Sequence, residues 1–526
     1  RLMWGSDFPV SETRGRAVTV GDGFFWLQPD AVNWKEAQHC RPALVGLESL
    51  RSLRQAAAQF GLNAGDVEDI FLHNAQRLLG LEEQPGALTQ ERYRYAKTRI
   101  PGGTQLLSKR PELMAPDVWP AYASEARGGE IWDLDGRHYF DFTATGIGAC
   151  LLGYRDPDVT AAVRRRINLG SMCQLNYAEE VELADLLCEI HPWAEQARFT
   201  RAGGETGAVA VRIARATTDR SVVAYCGYHG WHDWYLAANL GEEDALRGHL
   251  LPGLDPLGVP RELRGTAVPF TYNNREEFQA ILDEYGERLA AVIMEPCRYH
   301  DPEPGFLEFV REGAHRAGAL LIFDEITIGF RLHYGGSHLR FGVNPDIAIF
   351  AKALGNGHPI GAVIGTREAM EGAHISFISS TYWTEGVGPA AALATLRKLA
   401  RVDAPAHVAR IGQMVKDQWL RYGAKYELPV ESDDGYPCLA HFHFAGDESQ
   451  EMRTLYSQLM LEQGFLAGTS IYPTLAHTEE LVELHGQAVE RVFSQMGDLY
   501  RAGKIKEALR GPVAHSGFRR LVTHAR

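Results

Sequence analysis

Pro345-Asp346-Ile347-Ala348-Ile349-Phe350-Ala351-Lys352, followed by Ala353-Leu354-Gly355-Asn356-Gly357, is the stretch that decides the fold. Its apolar run reads as a buried strand of an open α/β sheet. Lys352 closes that run at the carboxyl edge of the sheet, where such folds place their ligands. An amine there points to a Schiff base with an aldehyde cofactor. A second buried-type run, Ala319-Leu320-Leu321-Ile322-Phe323, delivers Asp324-Glu325. An aspartate at that strand end can keep a pyridine nitrogen protonated and so make the ring an electron sink. The two residues are one strand–helix–strand step apart, a spacing that predicts them as neighbours.

Further buried-type strands recur at 221–225 and 290–294, with helical stretches between several of them. This alternation predicts an α/β class with a large, mainly parallel, doubly wound sheet domain. Ile131-Trp132-Asp133-Leu134-Asp135-Gly136 reads as a hairpin turn with 139–142 as its return strand, and 181–190 reads as a helix. After about residue 395 come a helix, short strands within 439–444 and a final long helix at 478–499, the signs of a smaller α+β domain. The expected division is 88–150 as an N-terminal segment, 151–395 as the large domain, 396–510 as the small domain and 511–526 as a tail. Residues 1–81 are unlike the rest. They open on a strand-like Arg1-Leu2-Met3-Trp4, continue with helical patterns at 47–60 and 66–79, and reach a polar linker at 82–87.

With 526 residues, the length suggests two to four domains. Apolar residues are 45% of the chain, ample for a large core. The net charge of −14 is spread without long acidic blocks, which argues against nucleic acid or an anionic membrane as partner. No apolar run approaches the roughly 20 residues that span a bilayer. The seven cysteines are dispersed, without a CxxC pair, as in reduced cytoplasmic enzymes. No metal site is expected. The first residue is Arg1, so the chain reads as part of a longer protein.

Two loops complete the candidate chemistry. Arg201-Ala202-Gly203-Gly204-Glu205-Thr206-Gly207 runs into a helical pattern. Gly203 and Gly204 let backbone N–H groups approach an anion at a helix start. The loop is no Walker A motif, because no GK[ST] follows. Tyr225-Cys226-Gly227-Tyr228-His229-Gly230-Trp231-His232 follows a strand, and Tyr228 could stack on a flat heterocycle. His229 and His232 lack a third ligand for a metal and are expected to bond within their loop.

These residues, in this order, resemble the class III aminotransferases of the fold-type-I pyridoxal-phosphate superfamily, and more nearly the branch that includes glutamate-1-semialdehyde 2,1-aminomutase. The likeness covers roughly 88–510. It rests also on Ile100-Pro101-Gly102-Gly103, Arg198-Phe199-Thr200, Glu295-Pro296, Asp324-Glu325-Ile326-Thr327-Ile328-Gly329-Phe330-Arg331, Pro359-Ile360-Gly361-Ala362 and Ala476-His477-Thr478. The resemblance implies pyridoxal 5'-phosphate as cofactor, with a small-molecule amino donor and a keto or aldehyde acceptor as partners. It implies that Lys352 holds the internal aldimine and shuttles the proton, and that Asp324 pairs with the pyridine nitrogen. Tyr228 would stack on the ring, and Gly203 and Gly204 would bind the phosphate. Glu295 and Ile326 would be supporting contacts. Thr381 matches a threonine that reaches the phosphate of a neighbouring subunit, which implies a homodimer.

The sequence departs from the family at three places. The usual Ser-Gly-Thr of the phosphate loop is Ala202-Gly203-Gly204. The stretch after Thr381 reads Tyr382-Trp383-Thr384-Glu385-Gly386, where many relatives carry Gly-Asn-Pro. Thr469 or Ser470 stands where the aminomutase branch has a glutamate, which favours intermolecular amino transfer over the aminomutase alternative. Arg331, Arg201 and Arg340 are the candidates for a substrate carboxylate. Residues 1–81 resemble the end of a metal-dependent amidohydrolase barrel, on Arg1-Leu2-Met3-Trp4-Gly5-Ser6-Asp7-Phe8-Pro9 and Asn74-Ala75-Gln76-Arg77-Leu78-Leu79-Gly80-Leu81. Asp7 would be its strand-eight aspartate. Without the histidines of earlier strands it cannot hold a catalytic zinc, so the alternative of amidohydrolase activity belongs to a longer fusion.

Overall fold

Apolar runs bounded by polar turns become the strands and helices of two separate compact units, 1–87 and 88–526. The computed structural model describes residues 14–20, 23–27, 43–60, 70, 87–241 and 255–516. In the leading unit, strands β1 (Arg14–Val20), β2 (Gly23–Leu27) and β3 (Ala43–Leu44) form an antiparallel sheet in the order β2-β1-β3. The helical pattern at 47–60 is helix α1 (Val45–Gln59). Asp7, the strand at 1–4, the helix at 66–79 except for residue 70, the closing stretch 74–81 and the linker up to residue 86 lie outside the described residues, as does the tail beyond 516.

The second unit holds all but the first residue of helix α2 (Ala87–Ala96) and a meander of β4 (Ala123–Arg127), β5 (Glu130–Asp133) and β6 (His138–Phe142). Strand β7 (Gln196–Thr200) then leads into helix α3 (Gly203–Thr218). Six more strands complete a seven-stranded sheet. They are β8 (Val222–Cys226), β9 (Ala267–Pro269), β10 (Leu289–Met294), β11 (Leu320–Asp324), β12 (Ile347–Phe350) and β13 (Gly361–Gly365). Their order is β7-β13-β12-β11-β10-β8-β9, and only β13 runs against its neighbours. Both faces are covered, which explains the unbroken apolar runs. Along β12, Ile347 and Ile349 pack with Val209, Ile213 and Ala214 of α3, while Ala348 and Phe350 face Leu183, Leu187 and Leu396 on the other side. β10 is fully buried along its whole length.

The C-terminal part packs Trp419, Phe442, Tyr456, Val489 and Phe493 into a core of its own. It contains β14 (Val430–Glu431), β15 (His443–Phe444), β16 (Phe465–Ala467) and the long helix α4 (Glu479–Arg501). The strand expected across 439–444 is much reduced. Pro437–Leu439 form a single 3-10 turn, and only His443–Phe444 are in strand. Pro437 fixes the turn, yet Phe442 and Phe444 are still buried with His443 exposed between them, so the period-2 burial survives without a full ladder. β16 pairs in parallel with β6, making a four-stranded sheet of order β16-β6-β5-β4. This sheet joins residues from the two ends of the unit.

Candidate functional site

Four strands end at one edge of the large sheet and surround a cavity of about 380 Å³. β11 ends in Asp324, β12 is followed by Lys352, β8 opens the loop 227–232, and β7 opens α3 at Gly203. The walls include Lys352, Asp324, Gly203, Gly204, Tyr228 and Ile326, so the fold brings together six residues singled out from sequence. Glu295 and Thr381 are not among them.

Lys352 begins a 3-10 turn with φ of +43°, a left-handed conformation uncommon for a lysine. Asn356, also left-handed, locks this turn. Its side chain accepts from Leu152 N–H at 2.8 Å and donates to Gly153 carbonyl at 3.0 Å. The ammonium donates to Thr327 Oγ1 at 3.0 Å. A loop at Gly148 passes the stem so closely that a Cβ there would lie 3.6 Å from Lys352 Cδ. Desolvation and the nearby Arg298 push the Lys352 pKa down to about 8, against the pull of Glu295 and Asp324. About a tenth of the amine is therefore neutral and nucleophilic at pH 7, far more than an ordinary lysine offers.

Asp324 is buried, and both its oxygens are held. Oδ2 lies 2.7 Å from His229 Nδ1, and Oδ1 accepts from Ile326 N–H at 3.0 Å. His229 Nε2 in turn lies 3.1 Å from the Cys226 carbonyl, so the ring is oriented by its own loop and spends its other nitrogen on Asp324. The expected within-loop bond is present for His229 but not for His232, whose Nδ1 has no hydrogen-bond partner, and the link to the carboxylate is the part that sequence reading missed. Tyr228 follows Gly227, whose φ is +106° and where a Cβ would strike Glu295 Oε2 at 2.8 Å. Only glycine lets the loop turn there. Burial, then Asp324, raises the Tyr228 phenol pKa, so the ring stays neutral.

Gly203 and Gly204 are the first two residues of α3, and Ala202 before them offers no side-chain cap. A Cβ on Gly203 would press on Ile326 at 3.3 Å. The helix start thus presents uncapped N–H groups and the positive dipole end to the cavity. Together, an amine, a buried carboxylate, an aromatic face and an anion cradle suit a phosphorylated pyridine aldehyde.

The remaining candidates divide differently. Glu295 pairs with Arg298 at 2.8 Å behind the Gly227 loop. Thr381 is exposed, at the start of a 3-10 turn (Thr381–Thr384) outside the cavity. Arg331 is wholly buried and donates to the Pro473 and Gly148 carbonyls, bracing the loop beside Lys352. Arg201 lines the cavity, but its guanidinium donates to the Trp383 and Glu385 carbonyls and pairs with Glu385 at 3.0 Å. Arg340 is bound to Asp301 at the surface. These three are thus engaged in holding the protein's own chain. Among the described residues, no group of three or more His, Cys, Asp or Glu could hold a metal ion, and no helix is long and apolar enough to cross a membrane.

A model of the family described as aminotransferase class-III matches residues 114–436. The chain is 31% identical over 420 residues to a 3-aminobutyryl-CoA aminotransferase of Cloacimonas acidaminovorans, covering 76% of this chain and 95% of that one. It is 31% identical over 432 residues to a glutamate-1-semialdehyde 2,1-aminomutase of an Exiguobacterium species, covering 78% and 97%. A solved structure of a transaminase with PLP bound superimposes with a TM-score of 0.69 at 25% identity, over 80% of this chain and 100% of that one.

Proposed function

This chain belongs to the class-III aminotransferase family, and from that premise we propose that Lys352, Asp324, Tyr228, Gly203, Gly204 and Ile326 form its cofactor site. The protein is a pyridoxal-phosphate-dependent aminotransferase, acting on a small-molecule amino donor and acceptor. The observation that carries the site assignment is the convergence of the Lys352 amine and the buried Asp324 carboxylate on one cavity. Bound pyridoxal phosphate supplies a ring that delocalises the electrons released at the amine-bearing carbon. Lys352 Nζ would hold the aldehyde carbon and, once displaced from it by the substrate amine, would take and return the proton at the amine-bearing carbon. Asp324, fixed by His229 and Ile326 N–H, would keep the proton on the ring nitrogen. Tyr228 covers a ring face, and the N–H groups at Gly203 and Gly204 receive the phosphate. Ile326 supports Gly203 from the cavity wall, and Glu295 sets the Gly227 turn.

Amino transfer between two molecules is the reading favoured over the internal shift of an aminomutase. Thr469 and Ser470 bring no carboxylate to their place, and Ser470 lines a separate cavity with Asp141 and Tyr154. Pyruvate or 2-oxoglutarate supplied with a series of amino donors should convert the bound cofactor between its amine and aldehyde forms, read by absorbance. Turnover of a single amino-aldehyde with no acceptor present would favour the aminomutase instead.

Self-association is part of the same proposal. Thr381 faces solvent, next to Phe377, which is 88% exposed, and to the exposed Ile375 and Tyr382. Exposed large apolar side chains this close together in the sequence suit a protein–protein surface. Phe377→Asp is expected to convert dimers to monomers at micromolar concentration, measured by light scattering. Cofactor affinity should fall with it, because Thr381 would no longer reach a neighbouring phosphate. An unchanged mass would remove this surface from the interface.

A further inference from the structure

An amine that both attacks an aldehyde and carries a proton changes its charge between the two tasks. A group that holds it through both must accept a hydrogen bond from the ammonium and donate one to the neutral amine. Among the described residues, the one hydrogen bond of the Lys352 amine is to Thr327 Oγ1, at 3.0 Å. Asp324 and Glu295 act on its charge only through space. A carboxylate at hydrogen-bond distance would fix the ammonium form, and a main-chain carbonyl can only accept. A hydroxyl does either by turning about its C–O bond. Thr327 neither gains nor loses a proton in that exchange.

Thr327 is buried, and it shares the wall of the cavity with Lys352 and Asp324. It stands on the turn that follows β11, and that turn is anchored at both of its acidic residues. Asp324 Oδ1 accepts from Ile326 N–H at 3.0 Å, and the Glu325 carbonyl accepts from Gly329 N–H at 2.8 Å. The buried Glu325 carboxylate accepts from Ser337 N–H at 3.0 Å and from His338 N–H at 2.9 Å, and lies 2.8 Å from His338 Nδ1. The branched Cβ of threonine limits its side-chain rotation further. One rigid turn therefore presents a carboxylate and a hydroxyl to the same cavity. The lysine stem is confined from another side. A Cβ on Gly148 would lie 3.1 Å from Tyr472 Cδ2 and 3.6 Å from Lys352 Cδ, so the loop, the tyrosine and the stem leave each other little room.

We propose that Thr327 is a positioning residue for amino transfer, its hydroxyl the seat that holds Lys352 Nζ at the cavity both before the amine takes a proton and while it carries one. The assignment rests on reading the cavity as the cofactor site. Without the seat, the end of a flexible four-carbon stem has no partner, and the fraction of time it spends in line with the reacting carbon falls.

The test compares Thr327→Val, which keeps the shape and loses the hydroxyl, with Thr327→Ser, which keeps the hydroxyl. Thermal melting of each cofactor-free variant checks that the fold is kept. The first measurement needs no turnover: stopped-flow capture of pyridoxal phosphate by cofactor-free protein, followed against pH. An ammonium gains more from a hydroxyl acceptor than a neutral amine gains from a hydroxyl donor, by about fivefold in equilibrium. Thr327→Val should therefore lower the capture midpoint, near 8 in the wild type, by about 0.5–1 pH unit. The second measurement is turnover. In Thr327→Val, kcat should fall about 10- to 100-fold while KM for the amino donor stays within about threefold. A donor deuterated at its amine-bearing carbon should slow the variant more than it slows the wild type. Thr327→Ser should keep the midpoint and hold kcat within about fivefold of wild type. A wild-type midpoint in Thr327→Val overturns the assignment whatever its rate, and leaves the cofactor site standing. A lowered midpoint with kcat within threefold overturns it too, because the hydroxyl then holds only the resting amine. Equal losses in Thr327→Val and Thr327→Ser overturn it by making the side chain mere packing. A wild-type protein that captures no pyridoxal phosphate removes the cofactor site and this role together.

Discussion

Lys352→Met abolishes turnover and, at pH 7, makes the cofactor-free protein more stable. Methionine fills similar volume but has neither a nucleophile nor a proton carrier, so both uses of the amine are lost. We expect at least a ten-thousand-fold fall in kcat, about 5.5 kcal/mol of barrier. The stability effect follows from the lowered pKa, which reports that the charged form is disfavoured in the folded state. The amine titrates near 8 when folded and near 10.5 when unfolded. Below pH 8 it is charged in both states, and the folded state carries the full cost, up to about 3 kcal/mol. Between pH 8 and 10.5 the unfolded chain binds more protons, so wild-type stability rises with pH. Urea unfolding of the two cofactor-free proteins should therefore show the variant ahead at pH 7 and the gap closing by pH 10.5. Cofactor capture by wild type, followed in a stopped flow, should accelerate from pH 7 to 9 with a midpoint near 8. A Lys352→Met protein that turns over, or a pH-independent gap, would remove the amine from its assigned place.

Asp324→Asn is expected to cost the second-largest amount, about a hundred- to ten-thousand-fold in kcat, or about 3–5 kcal/mol. The amide is the same size but cannot keep a proton on a ring nitrogen. It also mismatches its own surroundings. Both carboxylate oxygens accept in the wild type, from His229 and from Ile326 N–H, and an amide offers one acceptor and one donor. Burial makes that mismatch worth about 1–3 kcal/mol of stability. Cofactor affinity should change far less than rate, within about tenfold, because the phosphate and Lys352 are untouched. Single-turnover absorbance separates the two effects. A kcat within threefold of wild type would show that the 324 carboxylate is structural.

The strands that carry these residues could be read from sequence because a parallel strand buried on both faces has no polar positions to blur it. β10 and β12 are of this kind, and so is most of β11. β13 was harder, because Gly361 and Gly365 bracket only three apolar residues and its direction opposes the rest. β16 has three residues and finds its partner, β6, more than 300 positions earlier. A strand so short and so distant leaves no local signal of its pairing. At the site, Tyr228 and the glycines followed from their positions after strands. Thr327 and His229 acquired their roles only from neighbours brought across the sheet edge.

Which residue types stand at the ends of the central strands is a local matter. Apolar runs and the polar residues that stop them are local, and an open α/β sheet puts every such stop at one edge. Which groups are free to act is settled by packing across the whole fold. Arg331, Arg201 and Arg340 look alike in sequence, yet packing commits the first two to main-chain carbonyls and the third to Asp301. Hydrogen-bond partners across the sheet depend on strand register and on close approach of distant loops. Those are set by how the whole core packs, which no single segment encodes.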